Sequence, residues 1–339
     1  MVKNLSKRNL SIAERRSRLP VAYRVGIIAL ALLYGIVLAS LPLEALYDRP
    51  TYIFWAGHSE EILRNFWSQG ILVTLANEPL WWSINIFLSF FFTPEGIVRT
   101  LIIIPAIIVA YLILQADPKH FIWLLLFLFV PGVIRHHIMA IRQGVAVAIF
   151  LLAWFSTNKY WRRFLFLLTP LVHVSFFIVL VLMALTWLVR KMRFAYELRS
   201  LAFLCIGIAM GIGGMAWLGE MVGSRQAEAL TIEWYAARMP EASGLGALFW
   251  TMIFVIYSLQ GKVFTRNHTF ELGSIIFYIS TYHFLPIAGR IFTSILPVVL
   301  LAGLELTGWR RLAFGTLVLS WVVLYYGLRW SQPWLGFGV

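Results

Sequence analysis

Apolar runs long enough to cross a bilayer, or nearly so, recur along the chain at 25–43, 79–93, 97–115, 121–133, 144–157, 163–189, 198–219, 245–260, 270–285, 291–306 and 312–329. A spanning helix needs about 20 residues and rarely fewer than about 17. The runs 121–133 and 144–157 fall short of that. Short or interrupted spans pack within protein or line a cavity, because irregular backbone cannot face lipid. The pattern therefore predicts an all-α integral membrane protein of about eleven transmembrane helices, some of them short or broken. Two polar stretches exceed turn length, 44–78 and 220–244. The first carries Glu44, Asp48, Arg49, Glu60, Glu61, Arg64 and Glu78 with aromatic residues interleaved. Neither stretch is strongly basic, so both are expected on the outer face, 44–78 as a loop after the first span.

Charge changes the picture in one respect, by setting orientation. Lys3, Lys7, Arg8, Arg15, Arg16, Arg18 and Arg24 precede the first apolar run, against a single acid, Glu14. A basic segment of this kind stays inside. Residues 1–24 are thus expected as a cytoplasmic N-terminus, followed by an uncleaved first span and one polytopic membrane domain over 25–339. Arg190, Lys191 and Arg193, and the pair Arg310–Arg311, suit the same side. Eleven crossings put Lys159, Arg162 and Arg163 outside, against the positive-inside tendency. Letting 121–133 dip in and return repairs that group and breaks the tendency elsewhere, so both topologies beyond residue 115 stay open. Composition agrees with the apolar pattern. Hydrophobic residues make up 60% of the 339 positions and charged residues 13%, where soluble domains carry about 25%. The net charge of +13 is accounted for by short inside loops, and no nucleic acid is expected as a partner. The single cysteine, Cys205, lies in an apolar run and reads as packing.

A charge held near the membrane centre costs about 2.5 kcal/mol or more, so the ionisable residues that remain there are candidates for function. Asp48 and Tyr52 follow the first span, although Asp48 could simply pair with Arg49. Glu78 precedes Pro79, which also fits ordinary helix-start chemistry. Arg135 and Arg142 are seven apart in Arg135-His136-His137-Ile138-Met139-Ala140-Ile141-Arg142, so one continuous helix would place them on a shared face. An arginine fork matches phosphate oxygens and keeps its charge, which makes the pair a candidate diphosphate clamp; a basic loop is the plainer alternative. His136 and His137 lack a carboxylate or thiol at ligand spacing, so no zinc site is expected. His173 follows Pro170 within an apolar run and could be a core residue or an acid–base group. Tyr282, His283 and Arg290 form a last group, and eleven crossings bring Arg290 to the face of Asp48 and Glu78. There is no nucleotide-binding Gly-rich loop and no Gly-x-Ser-x-Gly elbow, so a substrate delivered by lipid is expected.

In order along the chain stand Asp48-x3-Tyr52, Glu78-Pro79, Arg142-Gln143-Gly144-Val145-Ala146 and His173-x-Ser175. This succession resembles the EpsG-like branch of the Wzy-type polysaccharide polymerases of bacterial inner membranes, by motif over roughly residues 20–190. The resemblance implies a membrane-embedded, GT-C-like glycosyltransferase that needs no metal or other cofactor. Such an enzyme polymerises undecaprenyl-diphosphate-linked oligosaccharide units on the periplasmic side. Its partners would be that lipid-linked glycan, the bilayer, and a chain-length regulator and flippase of the same pathway. Asp48, Glu78 and His173 would then be the catalytic candidates. Arg135, Arg142, Arg290, Tyr52 and His283 would hold the diphosphate and glycan. A lipid-linked glycan flippase and a membrane O-acyltransferase are the alternatives. The first needs the arginines without a base; the second needs His173 more than the arginines.

Overall fold

The computed structural model describes residues 20–221, 223, 244–285 and 287–338, of which the side chains of Met215, Ala216 and Leu218 are excepted. The basic residues 1–19 and nearly all of the expected outer segment 220–244 lie outside the described residues. The helices, in chain order, are α1 (Val21–Ser40), α2 (Arg49–Gly57), α3 (Ser59–Ser68), α4 (Ile71–Ala76), α5 (Pro79–Ser89), α6 (Pro94–Leu114), α7 (Phe121–Leu128), α8 (Pro131–Ile138), α9 (Ile141–Phe155), α10 (Lys159–Val172), α11 (Ser175–Lys191), α12 (Tyr196–Ala209), α13 (Met215–Met221), α14 (Leu245–Leu259), α15 (Lys262–Asn267), α16 (Thr269–Thr281), α17 (Ala288–Thr293), α18 (Leu296–Gly303) and α19 (Trp309–Leu328). Among the described residues the only β pairing is an isolated antiparallel bridge between Leu46 and Gly338. The chain forms two compact units. The first gathers the described residues of Val2–Gln69, Glu78–Val174 and Leu319–Val339; the second, those of Gly70–Asn77 and Ser175–Val318.

Four helices among the described residues are long and apolar enough to span a membrane: Val21–Ser40, Pro94–Leu114, Tyr196–Gly214 and Trp309–Leu328. A fifth is added if α7 and α8, bent by 60° at their junction, count as one broken span. The remaining apolar runs are divided more finely than hydropathy indicates. The run 79–93 gives only the 11 residues of α5, because Thr93 caps the next helix and Pro94 opens it. The run 163–189 is two helices, α10 and α11, parted at His173 and Val174. Large apolar side chains such as Val25, Leu33 and Ile36 of α1 lie open on the surface. Water would penalise that outer face and lipid does not. The protein is therefore a multi-pass, all-helical membrane protein.

In the first unit α6 is the central element. Its start carries every expected signal: the Thr93 hydroxyl accepts from Gly96 N, Pro94 stands at the first helical position, and Glu95 lies in the first turn. It buries Ile102, Ala106, Val109, Ala110 and Ile113 completely and packs against α1 and α9. Gly35 lets α1 come close, since a Cβ there would meet the Ile107 side chain and the Ile103 carbonyl oxygen.

Arg49 fixes the way the chain leaves α1. It is fully buried, and it does not serve as the partner of Asp48 that sequence allowed. Its guanidinium donates to the carbonyl oxygens of Leu38 (3.0 Å), Leu41 (3.0 Å), His137 (3.3 Å) and Ile138 (2.8 Å). These are carbonyls at the C-terminal ends of α1 and α8, which have no partner within their own helices. One cation thus ties two helix ends together. Burial draws its pKa down to about 10, with Arg99 adding to the effect. Replacing Arg49 with Met strands several buried carbonyls at about 1–3 kcal/mol each. Arg49→Met should lower the Tm of the purified protein in nanodiscs far more than Arg64→Met at an exposed ion pair; equal Tm values would contradict the clamp.

Candidate functional site

The site is built where three irregular pieces of backbone meet in the first unit. The first is the start of α5. Glu78 occupies the cap position in the left-handed region, φ 61° and ψ 53°, sparsely populated for any residue but glycine and asparagine. Such strain, of order 1–3 kcal/mol, persists only where the surroundings hold it and is characteristic of functional positions. Glu78 is also 1% exposed, so a carboxylate has been placed in the interior.

The second piece is the break between α8 and α9. Met139 and Ala140 leave the helical conformation, and α9 turns back so closely that a Cβ on Gly144 would collide with the His136 carbonyl oxygen. Gly144 is therefore required by the close approach. The same break corrects the expectation that Arg135 and Arg142 share one helix face. Arg135 stays on α8 and is exposed, whereas Arg142 stands in the first turn of α9, mostly buried.

The third piece is the end of α10. Pro170 has no N–H, which leaves the Phe166 carbonyl without its usual donor; the Thr169 hydroxyl donates to it instead, at 2.7 Å. The last helical bond runs from His173 N to Thr169 O, and His173 itself is extended (φ −150°, ψ 122°). The backbone is thereby turned so that both the His173 ring and the Val174 N–H point to Glu78.

The three pieces converge on one carboxylate. Glu78 Oε1 accepts from His173 Nδ1 (2.8 Å) and from Val174 N (3.2 Å), while Glu78 Oε2 is paired with Arg142 Nη1. The partners lie 64 and 95 positions away in sequence. The Arg142 guanidinium also faces the Trp55 ring, with Cζ 4.6 Å from its centroid, and lies 6.0 Å from the Tyr52 centroid. Its Nε is buried without a hydrogen-bond partner. Around it stand Tyr52, Trp55, Trp81, Trp82 and Phe66, with ring centroids 5.4–6.5 Å apart in successive pairs. Burial pushes the Tyr52 phenol above its ordinary pKa, Arg142 pulling it back and Asp48 adding to the rise. Asp48 itself is the half-buried cap residue of α2, one turn before Tyr52.

Of the residues singled out from sequence, Glu78, Arg142, His173 and Tyr52 come together, with Asp48 coupled through Tyr52. Trp55, one of the aromatic residues interleaved in 44–78, gave no signal of its own in the sequence; here its ring faces the Arg142 guanidinium. His136 and His137 are buried, and the His137 carbonyl is used by Arg49. His283 and Arg290 belong to the second unit, where both are exposed, His283 in the turn after α16 and Arg290 on α17.

The carboxylate and its guanidinium partner should be strongly coupled. Removing one member of a buried pair costs about 3–5 kcal/mol, because the other is left uncompensated. Glu78→Gln and Arg142→Gln should each lower unfolding stability by that order. The double variant should lose well under the sum of the two, measured by denaturant or thermal unfolding in nanodiscs. Additivity within about 0.5 kcal/mol would mean that the two side chains do not act on each other.

No curated protein and no solved structure matches this chain. The model of the EpsG family matches residues 57–334, a stretch that takes in Glu78, Arg142, His173 and the aromatic residues of α3 and α5; the chain belongs to the EpsG family of polysaccharide polymerase-like membrane proteins.

Proposed function

We infer that this protein is a membrane glycosyltransferase that joins oligosaccharide repeat units carried on a lipid diphosphate, in the manner of a Wzy-type polymerase. The observation that supports the reading most directly is the Glu78 carboxylate bridging Arg142 and His173. Glu78 commits Nδ1 of His173 as a donor, which leaves Nε2 as the nitrogen that takes a proton. A carboxylate that fixes the tautomer and orientation of an imidazole is the arrangement of a general base and its orienting acid. Arg142 supplies a permanent positive charge beside that base. The neighbouring tryptophans and Tyr52 offer flat apolar faces of the kind on which sugar rings stack.

The reaction follows from these parts. An acceptor hydroxyl oxygen attacks the anomeric carbon of the growing chain. The bond from that carbon to the lipid diphosphate breaks, and the bonding electrons leave with the diphosphate. Arg142 meets the charge that develops on the leaving group, the hydroxyl proton passes to His173 Nε2, and Glu78 stabilises the resulting imidazolium. Asp48, at the edge of the aromatic group, is placed to accept hydrogen bonds from sugar hydroxyls. The protein residues supply each of these roles, so the proposed chemistry needs no metal. The lipid is proposed to be undecaprenyl diphosphate, the membrane the bacterial inner membrane with the N-terminus inside, and the reacting face periplasmic. The short helices are proposed to pair into crossings within a GT-C-like arrangement of about eleven spans.

Purified protein in nanodiscs, given a matching undecaprenyl-diphosphate oligosaccharide without metal or nucleotide, should give a ladder of products on a glycan gel. His173→Gln and Arg142→Ala should each slow it about a hundredfold or more, in protein that remains monodisperse. Absence of a ladder, with movement of the lipid between leaflets in proteoliposomes, would favour the flippase instead.

A further inference from the structure

In the first unit α2 borders the carboxylate site on one side and is open on another. Its Arg49, Tyr52 and Ala56 are buried against the protein. Asp48 and Trp55 are seven apart, which puts them on one line along the helix. Both are half-buried at the edge of the packed face, and Trp55 there faces the Arg142 guanidinium. At about 100° of turn per residue, Thr51, Phe54 and His58 come next around the helix. All three are exposed. The open face is therefore continuous, through the Asp48–Trp55 edge, with the surroundings of Arg142.

Phe54 is the unusual member. It is 59% exposed, and the His58 ring is stacked on it, with centroids 4.3 Å apart and planes 25° from parallel. His58 Nδ1 donates to the Phe54 carbonyl oxygen at 2.8 Å. That bond fixes the imidazole and leaves Nε2 of the neutral ring as an acceptor. The next helix, α3, begins one residue later with Glu60 and Glu61 in its first turn. The side chains of its Glu60–Arg64 ion pair are 71% and 78% exposed. Charges so open stand in water, since hydrocarbon would penalise them heavily, and the two rings beside them stand in water as well. A flat two-ring platform is thus ordered in advance, with the Thr51 hydroxyl and the Asp48 carboxylate at its side.

We propose that this face of α2 is a saccharide subsite, which holds an uncharged sugar of the oligosaccharide where it runs outward from the carboxylate site. A pyranose has C–H groups on one face and hydroxyls around its rim. The C–H face would lie on Phe54 and His58, and the hydroxyls would meet Thr51 Oγ1, His58 Nε2 and the Asp48 carboxylate. Thr51, Phe54 and His58 bring no fixed positive charge, so the face suits a sugar and not the diphosphate. Rings already held in place reduce the ordering cost of binding. The choice of a saccharide rests on the glycosyl-transfer reading, to which this site adds the path of the glycan beyond the reacting sugar.

The test titrates full-length protein in nanodiscs with the repeat-unit oligosaccharide released from its lipid by mild acid, followed by saturation-transfer NMR. Wild-type protein should bind it. Phe54→Ala and Phe54→Leu should each weaken binding about fivefold, with Tm unchanged because the side chain is exposed, and Phe54→Trp should keep the affinity. No binding by wild-type protein, or equal affinity in wild type and Phe54→Leu, would overturn the proposal. A second measurement needs no affinity. A nitroxide on Phe54→Cys, in a Cys205→Ser background, should be reached by a water-soluble nickel chelate in preference to oxygen dissolved in the bilayer. The opposite preference would overturn the proposal by assigning the face to lipid. Loss of binding while the glycan ladder still forms would strike the subsite and leave the transfer reading standing; Phe54-dependent binding without a ladder would do the reverse.

Discussion

A buried carboxylate with too few partners is among the costliest things a membrane protein can hold, and Glu78 sets the terms for the first unit. It is placed by a left-handed backbone ahead of Pro79, and two separate segments deliver donors to it: Arg142 from α9, and His173 and Val174 from the end of α10. Each segment is irregular for that purpose. α8 ends so that Arg142 can enter at the start of a new helix. α10 ends at Val172 so that a ring and a backbone N–H can be turned toward Glu78. The strain at Glu78 and the two helix breaks are parts of one arrangement.

Irregular backbone inside a membrane protein must have its polar groups satisfied by protein, and this chain does so with side chains that sequence alone would assign to other tasks. Arg49 takes up carbonyls at the ends of α1 and α8. The Thr169 hydroxyl replaces the donor that Pro170 lacks. Tyr34 donates to the Leu128 carbonyl at the end of α7. These helix ends are met by side-chain donors of the same unit, so the breaks form a built scaffold around the carboxylate.

Much of this was legible in the sequence. The membrane class followed from apolar runs and the scarcity of charge, and Glu78, Arg142, His173 and Tyr52 stood out as polar groups within or beside the apolar runs. Their order along the chain carried the family resemblance. What could not be read was that they meet: Glu78 and His173 are 95 positions apart, and no local spacing encodes such a contact. Hydropathy averages over a window, so it runs through Pro131 and His173 without registering that helices stop there. The shared face of Arg135 and Arg142 needs one continuous helix, and the polar stretch between the runs gives no sign of the break at Met139–Ala140. Arg49 was misjudged because an adjacent acid is the nearest partner in sequence, while the carbonyls it uses become neighbours only on folding.

The central claim is that Arg142 holds the leaving diphosphate while Glu78, through His173, serves the proton transfer. Binding and turnover should therefore separate. The most direct measurement is the affinity of purified variants for an undecaprenyl-diphosphate oligosaccharide, alongside the single-turnover rate of glycosyl transfer. The account predicts that Arg142→Lys loses affinity, whereas His173→Gln keeps affinity close to wild type and loses the rate. A His173→Gln protein that transfers at the wild-type rate, or an Arg142→Lys protein that binds as tightly as wild type, would contradict it.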